Sequence, residues 1–104
     1  MRVISRRALR DFWERHAAAR EPLVTWFRLM ESSNFAAFSA VKRTFGAADY
    51  VAPYTIFDVG GNKYRVVAVI HYKRRRIYIR HVFTHSEYDR WSDGLRSGKG
   101  KSTR

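Results

Sequence analysis

Helices first and a small sheet after them: the sequence predicts an α+β domain whose N-terminal helices pack on a small antiparallel sheet. Three observations predict it. As far as Phe45, apolar side chains recur three and four residues apart, which is the spacing of one helix face. From Tyr50 the period shortens to two, in segments rich in β-branched and aromatic residues. Between those segments stand two turn signals, Gly60-Gly61-Asn62 and Lys73-Arg74-Arg75-Arg76.

Arg2-Val3-Ile4 reads as a short first strand, and Ser5 sits in N-cap position before a helix over 6–18. In that helix Leu9, Phe12, Trp13 and His16 share a face, with Asp11 and Glu14 elsewhere. Glu21-Pro22 restarts a helix, because proline is tolerated in a first turn, and Leu23, Trp26, Phe27 and Met30 form its apolar stripe. Ser32-Ser33-Asn34 ends it. The segment 35–45 is short and amphipathic, with Phe38, Val41 and Phe45 inward. Three strands follow over 54–59, 64–72 and 77–83 as an antiparallel meander, and Thr84 to Glu87 opens a short final helix. One domain is expected over 1–91, and residues 92–104 as a flexible basic tail.

Composition limits what such a domain does. At 104 residues, 45% hydrophobic and 15% aromatic, the chain holds one core and no second domain. With no cysteine there is no disulfide framework and no thiolate chemistry, as suits a reducing cytoplasm. The longest apolar runs, such as Val66 to Ile70, are far too short for a bilayer, so no membrane partner is expected. Lys and Arg number 21 against 9 Asp and Glu, a net charge of +12. No acidic residue falls between Asp58 and Glu87, where Lys63, Arg65 and Arg80 lie together with the run Lys73 to Arg76. A one-signed stretch of this kind suits a polyanion, whose condensed counterions are released on binding.

Strand alternation places Lys63, Arg65, Val67, Val69 and His71 on one face, and Tyr64, Val66, Ala68, Ile70 and Tyr72 on the other. On the last strand it sets Ile77, Ile79, His81 and Phe83 against Tyr78, Arg80, Val82 and Thr84. One face packs on helices; the second is left rich in cations and rings, which suits single-stranded RNA. Cleavage of RNA by its own 2′-hydroxyl needs a base, an acid and cations for the phosphorane. His81, His85, Tyr88 and Asp89, near Arg65 and Arg80, offer all three. No metal or other cofactor is required, and the histidines lack metal-ligand spacing. The plain readings stand beside this one. Tyr64, Tyr72 and Tyr78 suit sheet packing, His16 and His71 are structural, His81 is a half-buried core residue, and Asp58 is a turn acceptor. The run Lys73 to Arg76 is a solvated turn, with phosphate contact as its second use.

The segment 57–68, FDVGGNKYRVVA, resembles the FNVGGNxxRLVA segment of HigB-type toxins, and 78–89, YIRHVFTHSEYD, resembles their YIRxVxTHxEYD signature. Val3 to Leu9 and Ala40 to Phe45 also fit, so the likeness runs to about Asp89. It implies a toxin of a type II toxin–antitoxin pair with the RelE-like fold. The family's members are mRNA interferases that cut transcripts in the A site of the small ribosomal subunit. Each is held inactive by a helix-turn-helix antitoxin of HigA type. By resemblance the catalytic set falls on Arg65, Arg80, His85 and Tyr88, with Lys63 alongside. Arg65 and Arg80 are then expected to stabilise the phosphorane, while His85 and Tyr88 divide the acid–base work in either order. Further RNA contacts are expected at Lys73, Arg74, Arg75, Arg76, Lys99 and Lys101. His81 departs from the family, standing where relatives often carry an acidic or apolar residue. Two rival functions share the fold or the charge: a basic RNA- or ribosome-binding protein without chemistry, and a gyrase-poisoning relative.

Overall fold

In the computed structural model, which describes residues 1–102 and side chains as far as Leu95, a mixed five-stranded sheet carries helices on both faces. In chain order the elements are β1 (Arg2–Ile4), α1 (Arg6–Arg15), a short 3₁₀ turn (Ala17–Ala19), α2 (Arg20–Glu31) and α3 (Phe38–Thr44). There follow β2 (Asp49–Val51), β3 (Tyr54–Val59), β4 (Tyr64–His71), β5 (Arg76–Thr84) and α4 (His85–Ser102). The strand order is β1-β5-β4-β3-β2. The expected meander forms its centre. The edges are the addition: β2 pairs antiparallel with β3, and β1 pairs parallel with β5, so the sheet is not wholly antiparallel as expected. α1 starts after Ser5, which has extended backbone angles, though its hydroxyl makes no capping bond. It stops earlier than expected, at His16, whose ring stacks on Phe12 at 4.4 Å.

α1, α2 and α3 cover one face. Leu9, Phe12, Leu23, Met30 and Val41 are almost wholly buried against Phe57, Val66, Ala68 and Ile77 of the sheet. Trp26 and Phe45 meet Phe57 edge-on at 5.3 and 5.1 Å, and Tyr64 meets Phe12 edge-on at 5.7 Å. Burying an aromatic or branched side chain of this kind contributes about 1.5–3 kcal/mol, so this face supplies most of the driving force. The buried amino group of Met1 donates to the Met30 carbonyl at 2.8 Å and also to that of Ser33, satisfying groups at the end of α2.

The register corrects one expectation. Val67 pairs with His81 but Ala68 pairs with Ile79, so Arg80 is an extra residue, a β-bulge. Alternation therefore inverts there. Ile77 and Ile79 face the helices, whereas His81 and Phe83 turn to the opposite face. His81 is half-buried as expected, but not in the main core. That second face also carries Tyr54, Ile56, Asp58 and Arg65, and the start of α4 lies across it through Tyr88 and Trp91. α4 runs on to Ser102 where only a short helix is expected. No helix among the described residues is long and apolar enough to cross a membrane.

Candidate active site

The β3–β4 hairpin supplies the floor of the site. Gly60, Gly61 and Asn62 all have positive φ (68°, 60° and 80°), a conformation that favours glycine and tolerates asparagine. A Cβ at Gly60 would stand 3.1 Å from the Tyr64 ring and 3.3 Å from Pro22, so a side chain there would strain both the backbone and its neighbours. This turn sets the register in which Asp58 lies directly across from Arg65.

Arg65 is only 7% exposed, and its guanidinium is fully engaged by the protein. Nε meets Asp58 Oδ1 at 2.9 Å. One terminal nitrogen donates to the Asn62 and Tyr64 carbonyls at 3.0 and 3.2 Å. The other donates to Asn62 Oδ1 at 2.7 Å and meets His85 Nδ1 at 3.1 Å. Five partners stand against the five N–H groups an arginine has. The same guanidinium lies over the Tyr88 ring, 5.4 Å from its centre.

α4 delivers the other two groups through its first turn. The Thr84 N–H donates to Glu87 Oε1 at 2.8 Å, and the Glu87 N–H donates to Thr84 Oγ1 at 3.2 Å, a reciprocal capping box. The His85 N–H donates to the Lys63 carbonyl at 2.9 Å, tying the helix start to the hairpin. Exposed His85 therefore stands first in the helix, with Tyr88 and Asp89 a turn on. Its Nε2 lies 3.3 Å from Asp89 Oδ2, an exposed pair. Arginine only donates, so this contact calls for Nδ1 as the acceptor, with Nε2 on the Asp89 side.

Beside this cluster the second face is aromatic. His81 stacks on Phe83 at 5.0 Å, and the Trp91 ring lies 5.3–6.0 Å from those of Tyr54, His81, Phe83 and Tyr88. Burial lowers the His81 pKa below the usual histidine value, and the Arg80 charge lowers it further. A cleft of about 420 Å³ opens next to Tyr88 and Trp91, bounded by Ile56, Val51 and Leu95.

The structure thus brings Arg65, His85 and Tyr88 together, with Lys63 at the rim. Arg80 is exposed, sits over the Tyr78 ring at 5.8 Å, and shares no hydrogen bond or ring contact with that trio among the described residues. Lys73, Arg74, Arg75 and Arg76 form the turn at the opposite end of the β4–β5 hairpin, about 25 Å from His85 at the usual rise per residue. The side chains of Lys99 and Lys101 lie outside the described residues. Asp58 and Asn62, which the sequence presents only as a turn acceptor and a turn residue, hold Arg65, as only the register and the turn reveal; Trp91, which no motif singles out, lies against the face. Among the described residues no three His, Cys, Asp or Glu side chains gather as around a metal ion.

The sequence model of one family, described as the RelE-like toxic component of a toxin–antitoxin system, matches residues 19–91. The chain belongs to the HigB toxin family. Among relatives, the mRNA interferase toxin HigB of Escherichia coli K12 is 34% identical over 92 residues, covering 86% of this chain and 88% of its own. The mRNA interferase HigB of Shigella flexneri matches to the same extent. A second mRNA interferase HigB, from Escherichia coli O6:H1, is 26% identical over 102 residues, covering 95% and 99%. The matched HigB segment includes Asp58, Asn62, Arg65, His85 and Tyr88, so the whole cluster falls within it.

Proposed function

We propose that this toxin is an endoribonuclease that cuts messenger RNA on the ribosome. The observation that carries the reading is the cluster of His85, Tyr88 and Arg65 on a cationic, aromatic sheet face, in a chain whose relatives are named mRNA interferases. In the reaction the 2′-oxygen attacks the neighbouring phosphorus as its proton passes to a base. The bond to the 5′-oxygen breaks, and that oxygen is protonated as it leaves. His85 and Tyr88 are the groups that hold or move protons around the reacting phosphate. Among the described residues neither Lys63 nor Arg80 is paired with a carboxylate: Lys63, at the rim of the cluster, meets the phosphorane, and Arg80, farther along β5, meets flanking phosphates. Cations at the phosphorus make a metal unnecessary. Bases stack on the second face near Phe83 and Trp91. The ribosomal A site positions the message, the protein works in the cytoplasm, and a helix-turn-helix antitoxin of HigA type restrains it.

Primer extension on one defined message, with purified toxin and with or without translating ribosomes, tests this directly. Cuts that appear only on translating ribosomes are expected. Cuts on free RNA would remove the ribosome from the reading, and no cuts in either sample would end the enzyme reading.

A further inference from the structure

Arg65 is the cation that sequence reasoning sets against the phosphorane, yet its surroundings assign it other work. A phosphate ligand needs free N–H groups facing solvent. Arg65 is buried, and Asp58, Asn62, the Tyr64 carbonyl and His85 occupy all of its donors. Moving it to a phosphate would break the charge-assisted bond to Asp58 and its bonds to the Asn62 and Tyr64 carbonyls.

We propose, within the ribonuclease reading above, that Arg65 is a positioning residue that locks His85 as the neutral Nε2–H form, with Asp58 and Asn62 holding Arg65 in place. Because the guanidinium donates into Nδ1, the imidazole offers substrate one group, the Nε2 proton. His85 then acts as a hydrogen-bond donor to a phosphoryl oxygen, in the manner of a neutral histidine electrophile. The exposed Asp89 carboxylate at 3.3 Å holds that N–H in its absence and gives way to the substrate oxygen. No proton leaves His85 in this step. Tyr88, over whose ring the same guanidinium lies, takes the proton from the 2′-oxygen, and the departing 5′-oxygen takes one from solvent water.

Three substitutions separate this from a phosphate-binding role. Asn62→Gly removes one acceptor while keeping a residue that adopts positive φ, Asp58→Asn removes the holding charge, and Arg65→Lys removes the fork. Each is expected to lower the single-turnover cleavage rate, by up to about 100-fold. Binding of a fully 2′-O-methylated oligoribonucleotide, and its salt dependence, should stay as in the parent. In Arg65→Gln, which removes the charge, a salt slope shallower by about one phosphate would mean that Arg65 does touch the backbone, and would overturn the proposal.

Nitrogen-15 NMR of the His85 ring gives a readout independent of activity and needs only the parent and Asn62→Gly. The parent should show Nε2 protonated and Nδ1 as acceptor, and Asn62→Gly should show a mixture. A parent ring protonated on Nδ1, or an unchanged ring in Asn62→Gly, overturns the assignment even if Arg65→Lys fails to fold. A parent that cuts no RNA would sink the ribonuclease reading, while the tautomer result would still decide what Arg65 does to His85.

Discussion

The two faces of the sheet obey different rules. Toward α1, α2 and α3, Phe57, Val66, Ala68 and Ile77 are packed by hydrocarbon and rings with almost no polar atoms. Toward α4, the alternate residues of the same strands are Asp58, Arg65, His81 and Phe83, joined by hydrogen bonds and ring contacts and partly open to water. A one-residue alternation separates stability from chemistry. The first face tolerates little change in volume; the second depends on direction, because a guanidinium or imidazole a few tenths of an ångström away loses its bond.

Breaking the first face should give the largest effect on stability. Phe57→Ala removes a fully buried ring that touches Trp26 and Phe45, and is expected to destabilise the fold by about 3–5 kcal/mol in urea unfolding. A loss below about 1 kcal/mol would show that this face is not the core described here. The junction between faces should respond less. Glu87→Ala opens the capping box and should cost about 1 kcal/mol, with the helix start loosened and His85 less well fixed. Amide exchange at Thr84 and His85 checks it; unchanged protection would mean that the Lys63 carbonyl alone sets the helix start.

Much of this was legible in the sequence, and the rest was not for identifiable reasons. The hairpin over 54–71 announces itself through period-two alternation and through Gly60-Gly61-Asn62, residues chosen for positive φ. His85 and Tyr88 are legible through the signature that contains them. The bulge at Arg80 is not, because an inserted residue leaves no mark in alternation until a partner strand counts against it. That one residue carries His81 and Phe83 to the other face. Asp58 reads as a turn acceptor in isolation; its bond to Arg65 exists only in the register that sets the two opposite each other. The burial of Arg65 is hidden likewise, since charge in a sequence says nothing of partners already present. The two outer strands are three residues each, too short for periodicity to show, although the first was expected from its apolar centre.

The second face does chemistry which the fold does not need. A variant carrying both His85→Ala and Tyr88→Ala tests it, compared with the parent for thermal unfolding and for cleavage of a message on translating ribosomes. Both side chains lie at the edge of the α4 face, outside the helix-covered core. A midpoint within a few degrees of the parent, about 1 kcal/mol or less in stability, is expected, with cleavage lost. Cleavage that persists in a folded double variant would contradict it.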